Sequence, residues 1–323
     1  MNAPQRPAFS LVIAAFAAVY IIWGSTYLAI RYAVESLPPF LMAGCRYLVA
    51  GGILLAWARW KGAAWPRWAE WRGATVVGSL MLLGGNGGVT WAEQSIPSSI
   101  AALVVAVVPL WITLLEWRGG EGAVPSPSVF AGLGLGFAGV AWLVLGRGGS
   151  SGTALNVWGL AALLLSSVLW ALGAIQSRRI AKPKSILLAI GMQMIGGGAV
   201  MFLFGLGVGE GSTFRLAQVT ATSFWAWFYL MSAGALVGFT AYAWLLQVTS
   251  ASKVATNAFV NPLIAVALGC TLGQEPFSMR LLLCTALIAT GVLMIIRGGS
   301  TRRETMATSR TASLPGKQFA GSP

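Results

Sequence analysis

One unit occurs twice along this chain, and each copy holds an odd number of apolar segments of membrane length. Trp91, Gln94 and Pro109 return as Trp244, Gln247 and Pro262, each displaced by 153 residues. Trp23 and Arg46 correspond to Trp170 and Gln193 at a displacement of 147, and Gly139-Val140 to Gly291-Val292 at 152. Displacements this constant indicate duplication of one unit, because chance matches scatter. An odd number of crossings per unit forces the second copy to lie upside down relative to the first. Inverted repeats of this kind form the binding site of many secondary transporters at their interface.

The solvent of the chain is the bilayer. Of its 323 residues 57% are hydrophobic and 9% charged, whereas a soluble domain carries about a quarter charged residues. A helix of about 20 apolar residues crosses a hydrocarbon core of about 30 Å. Ten such runs are predicted, near residues 9–30, 39–58, 73–92, 97–115, 128–146, 155–176, 185–208, 223–247, 253–272 and 278–296. A β-barrel strand would alternate apolar and polar residues. Ile100 to Ile112 is continuously apolar instead, so the expected fold is an all-α membrane protein. Ten transmembrane helices, as two inverted five-helix repeats, would surround a central cavity.

The division expected is an N-terminal repeat over 1–147, a C-terminal repeat over 153–298 and a disordered cytoplasmic tail over 299–323. The Gly- and Ser-rich stretch 148–152 would link the repeats. The net charge of +13 is distributed in a way that argues for topology rather than nucleic-acid binding. With the N-terminus in the cytoplasm, sixteen Lys and Arg fall inside and four outside (Arg31, Arg147, Arg215 and Arg280), with Arg46 inside a span. By the positive-inside rule both termini are then cytoplasmic, and the location expected is a bacterial inner membrane. The start of the chain faintly resembles a secretory signal, but cleavage there would remove Trp23, the mate of Trp170.

Several chemistries lack their residues. The chain has no His and no Asp, so zinc sites and His-based acid-base catalysis have no ligands, and no metal or cofactor is expected. Cys45, Cys270 and Cys284 are odd in number and lie inside apolar runs, which implies no disulfide framework. A membrane-embedded transferase would need clustered acidic metal ligands. That transferase and a channel are the alternatives to a carrier.

Polar groups inside hydrocarbon are costly unless they find partners or line water, so the few that lie deep are the site candidates. Asn86 and Thr90 share a face of the third span, as do Asn257 and Asn261 of the ninth. Tyr242 lies in the eighth. These groups either bridge helices or line a cavity. Trp23, Tyr27, Trp111 and Trp170 would add aromatic walls suited to flat or apolar substrates and to cation-π contact with an amino group. Trp60, Trp65, Trp68 and Trp71 fit an interfacial belt. Pro109 and Pro262 interrupt equivalent helices and are hinge candidates. Arg46, about seven residues or roughly 10 Å from the outer end of its span, is expected to pair with Glu93. Glu93, Glu116, Glu121 and Glu275 lie at span ends, which favours facilitated diffusion or exchange over proton coupling. Gly84 and Gly88 suit helix packing, and Gly132 with Gly136 is a candidate dimer contact.

Trp23-Gly24-Ser25-Thr26-Tyr27, then Pro39 with Arg46, then the Pro109 and Pro262 helices trailed by Glu121 and Glu275, resemble the EamA family of the drug/metabolite transporter superfamily. The resemblance runs over about residues 10–297. It implies a ten-helix inner-membrane exporter of amino acids, related metabolites or drugs. The first, third and fourth helices of each half would form its cavity, and the fifth helices would support assembly. Gln193 stands where the repeat would have a second Arg, so any role of Arg46 belongs to one half. The partners expected are a small-molecule substrate and the lipid bilayer, with no nucleic acid, in a monomer or homodimer. Neutral or zwitterionic solutes, aromatic or branched amino acids first and lipophilic drugs second, suit a chain with one cation inside its spans.

Overall fold

The computed structural model describes residues 8–119, 125–145, 156–249 and 251–312, with 251, 252 and 298–312 described by backbone alone. The linker 148–152, Glu121 and residues 313–323 lie outside the described residues. Among the described residues there is no strand.

The first half contains α1 (Phe9–Ala33), α2 (Pro39–Trp60), α3, α4 and α5 (Pro127–Leu145). α3 is one rod of three stretches, Trp68–Gly78, a π-helical Ser79–Gly87 and Gly88–Ala92. α4 is two pieces, Ser98–Val105 and Val108–Arg118. The second half contains α6 (Val157–Gln176), α7 (Ile186–Gly207), α8, α9 (Asn257–Thr271) and α10 (Met279–Ala312). α8 repeats the form of α3: Ala221–Tyr229, a π-helical Leu230–Gly238 and Phe239–Val248.

Start signals are local. Pro39 and Pro127 open α2 and α5, where a missing N–H costs nothing. Asn156, Ser185 and Thr220 cap α6, α7 and α8 by accepting backbone N–H groups of the first turn. Among the described residues eight helices are long and apolar enough to cross a membrane. α9, with 15 residues, is apolar but shorter, and the middle of α3 is diluted by Gly84, Gly85, Asn86, Gly87 and Gly88. Large apolar side chains such as Ile21, Leu165, Leu203 and Trp225 remain exposed, as a lipid-facing surface requires.

Glycines set the closest crossings. A Cβ on Gly51 of α2 would lie 2.8 Å from the Gly191 carbonyl of α7, and one on Gly191 would lie 3.0 Å from the Gly51 carbonyl. Gly198 meets the Gly44 carbonyl at 3.2 Å. Adding 147 turns Gly44 into Gly191 and Gly51 into Gly198, so one crossing contact becomes the other with the halves exchanged. α5 and α10 cross in the same manner, Gly132 at 2.7 Å from the Gly291 carbonyl and Gly139 at 3.4 Å from that of Cys284. Here the exchange works at a displacement of 152. Gly132 is therefore spent on α10, and Gly136 is filled by Leu110 of α4. The dimer contact expected at this pair is corrected: both residues are buried inside the chain, because a small-residue stripe serves whichever helix reaches it first.

The two ends of the bundle are distinct. At one, Arg31 at the end of α1, Glu275 between α9 and α10, and Ser98 at the start of α4 meet. At the other, Glu116 near the end of α4 pairs with Arg178 after α6, and Ile180 fills the space beside Gly73 near the start of α3.

Candidate functional site

The π-helical stretches of α3 and α8 each receive a tryptophan. A Cβ on Gly85 would lie 2.7 Å from Cε3 of Trp170, and one on Gly238 would lie 2.9 Å from Cδ1 of Trp23. Gly85 plus 153 is Gly238, and Trp23 plus 147 is Trp170. Each indole of one half thus lies on a glycine of the other. The extra residue of a π-turn widens the helix and recurs at functional sites, and glycine leaves room for the ring. Trp23 donates its Nε1–H to the Gly234 carbonyl at 3.2 Å. Its ring centroid is 5.1 Å from that of Phe239 and 5.0 Å from that of Tyr242. The structure therefore brings Trp23 and Tyr242 together in one half-buried aromatic group.

Asn86 follows Gly85 on α3, and its Oδ1 accepts a hydrogen bond from Nη2 of Arg46. Arg46 also reaches the Tyr47 hydroxyl at 3.1 Å and stacks over that ring at 4.6 Å. This corrects the expected ion pair: Arg46 makes no salt bridge with Glu93. Glu93 lies seven residues beyond Asn86, about 10 Å along the helix, so the side chain satisfied first is the amide at the level of Arg46. Thr90 is fully buried and donates to the Asn86 carbonyl at 2.8 Å, which seals the helix rather than facing a cavity.

Trp111 donates to Ser167 Oγ at 2.9 Å and packs on Phe137 at 4.9 Å, bridging α4, α5 and α6. Tyr27 packs, half-buried, against the core cluster that contains Ala92, Leu103 and Val104. Asn257 and Asn261 are half-buried on α9, and the buried Oδ1 of Asn261 has no hydrogen-bond partner. The two prolines differ: α4 is interrupted at Ala106 and Val107 just ahead of Pro109, whereas Pro262 lies buried inside the continuous α9. The two prolines thus occupy matched positions but leave their helices in different shapes.

Sequence reasoning missed the cluster around Glu275. Glu275 is 5% exposed. It accepts from Ser98 N and Ser98 Oγ at 2.7 Å each, from Ser99 N at 3.0 Å and from Arg31 Nη1 at 2.7 Å. It caps the N-terminus of α4 from the other half, where a carboxylate is stabilised by free N–H groups and the helix dipole. Burial pushes its carboxyl up, but the hydrogen bonds from Ser99 and Ser98 outweigh this and hold it below the usual carboxylate range. Glu210, between α7 and α8, caps α2 through Leu41 N at 2.8 Å and Phe40 N at 3.2 Å. There burial wins and raises the carboxyl. It borders a crevice of about 520 Å³ with Phe40, Trp91 and Phe204. The Ser98-Ser99 pair following Pro97 was the available cue, but its acidic partner is 176 residues away.

A bundle of long apolar helices with matched π-helical stretches and polar groups buried between the helices has the form of a membrane protein. The chain belongs to the EamA-like transporter family, whose model matches residues 10–145 and again 157–297. It is 37% identical over 283 residues to the "Uncharacterized inner membrane transporter YedA" of Escherichia coli K12, covering 87% of this chain and 89% of that protein. It is 26% identical to the "Uncharacterized transporter YvbV" of Bacillus subtilis, covering 85% and 88%. Protein PecM of Dickeya dadantii is 25% identical over 85% of this chain and 88% of its own. A solved crystal structure shares the fold, with a TM-score of 0.61 at 19% identity, over 96% of this chain and 100% of that one.

Proposed function

We propose that the protein exports small organic solutes, neutral or zwitterionic amino acids first, by alternating access between two five-helix units of opposite orientation. On this reading α1–α5 and α6–α10 supply ten crossings of a bacterial inner membrane, with both termini cytoplasmic. The observation that carries it is the exchange of Trp23 on Gly238 for Trp170 on Gly85. An inverted pair of units yields such swapped contacts, and a site between them can open to either side by rocking. The crossings Gly51–Gly191 and Gly198–Gly44 supply a fixed pivot of the same symmetry. The Trp23, Tyr242 and Phe239 rings offer stacking and cation-π surface for an aromatic amino acid, and the unpartnered Asn261 Oδ1 offers an acceptor for its ammonium group. The inner-membrane name of the YedA relative supports the location.

Counterflow into proteoliposomes with a panel of amino acids and lipophilic drugs tests this. Neutral amino acids should exchange, and the Trp23→Ala, Trp170→Ala double variant should lose flux while keeping its fold. An unaltered flux in the folded double variant removes the indoles from the site, and an absence of exchange for every solute refutes the function.

A further inference from the structure

Close to the Arg31–Glu275 contact is a carboxyl that the transport reading leaves unused. Glu93 follows α3 directly, is 3% exposed, and both its side-chain oxygens are buried without a hydrogen-bond partner. The groups that face it come from three other elements: Arg31 and Tyr27 of α1, Arg46 of α2, and Glu275 between α9 and α10. Each cation is already engaged, Arg31 by Glu275 at 2.7 Å and Arg46 by Asn86 and Tyr47. The Arg31 backbone N–H also faces the carboxyl but lies outside hydrogen-bond geometry. A carboxylate buried without a hydrogen-bond partner from the protein is among the costliest groups a chain can hold, and the remedy is to take up a proton.

We infer that Glu93 is a proton-binding site that governs the outer latch formed by Arg31, Glu275 and the start of α4. With the proton bound, Glu93 is neutral and Arg31 stays with Glu275, tying α1 to the second half. When the proton leaves, the O–H bond of the carboxyl breaks, the proton passes to outer water and the electron pair stays on the carboxylate. The new anion then competes with Glu275 for the Arg31 guanidinium, while Glu275 keeps its bonds to Ser98 and Ser99. Loss of one proton thus loosens the contact between α1 and the loop before α10. The inference rests on the transport reading for its consequence, outward opening, but not for the protonation itself.

Two measurements separate these. The infrared spectrum of the full chain in lipid bilayers at neutral pH should contain the band of a protonated carboxyl. Glu93→Gln should remove it, and Glu35→Gln, an exposed position after α1, should leave it. A band unchanged in Glu93→Gln, or absent from the parent chain, overturns the site whatever the flux. In proteoliposomes, amino-acid exchange should speed up as pH rises in the parent chain and become pH-independent, at the slow rate, in Glu93→Gln. A retained pH slope in that variant overturns the link to the latch. If no solute moves in any variant, the transport reading fails and the band still decides Glu93.

Discussion

Removing the Glu275 carboxylate should destabilise the protein through the cap of α4 and not through the ion pair. In Glu275→Ala the N–H groups of Ser98 and Ser99, residues 0% and 2% exposed, lose their acceptor. An unsatisfied buried donor costs about 1–3 kcal/mol, so the two together give about 2–6 kcal/mol. The Arg31 side chain is 36% exposed. Screening by solvent therefore limits its pairing to about 1 kcal/mol or less. The two substitutions then separate: Glu275→Ala loses several times what Arg31→Met loses. The assay is reversible unfolding of the purified chain from mixed micelles by increasing SDS, followed by Trp fluorescence. Acidification provides a second axis. Glu275 is held below its ordinary value of 4.5 by the Ser99 and Ser98 bonds. A depressed carboxyl contributes stability that is complete above the unfolded value and lost as pH falls through the lower folded one. The parent chain should lose this increment only below about pH 4, and Glu275→Ala should lack that limb. Equal losses for Arg31→Met and Glu275→Ala would refute the reasoning, because the ion pair would then outweigh the cap.

Three more outcomes are expected. Gly197→Val would set a Cβ 2.8 Å from the Gly78 Cα, backbone against backbone, so α3 and α7 must separate at about 1–3 kcal/mol; an SDS-unfolding shift under ~0.5 kcal/mol speaks against that crossing. Double-mutant cycles should give a coupling of about 1.5–3 kcal/mol for Arg46 with Asn86 and close to none for Arg46 with Glu93; the reverse order would restore the ion pair. Gly85→Ala and Gly238→Ala should each displace an indole and lower exchange to a similar degree with folding retained, and a loss in only one variant would show that the two Trp residues are not equivalent.

Much of the architecture was legible before any coordinates. Constant displacements between matched Trp, Gln and Pro residues marked two like units along the chain, but which contacts are exchanged between them came only from the packing of Trp23 on Gly238 and Trp170 on Gly85. Caps at Asn156, Ser185 and Thr220 and prolines at helix starts are local signals, and local signals survive in any environment. The π-helical stretches were not legible, because a run such as Gly84-Gly85-Asn86-Gly87-Gly88 lowers helix propensity without saying which way the turn will widen. Trp111 and Thr90 read equally well as cavity wall or helix bridge, and only their partners decided: Ser167 makes Trp111 a bridge between helices, whereas the Asn86 carbonyl holds Thr90 to its own helix.

The chain's apolar runs, its duplication and the absence of His and Asp determined a helical membrane protein made of two like halves, because each depends on residue type and spacing along one dimension. Tertiary structure alone decided the electrostatics. A guanidinium takes the donors and acceptors that packing brings within about 3 Å, so Arg46 went to Asn86 instead of the nearest carboxylate in sequence pattern. Glu275 found its helix N-terminus across 176 residues, and Glu93 was left buried without a partner.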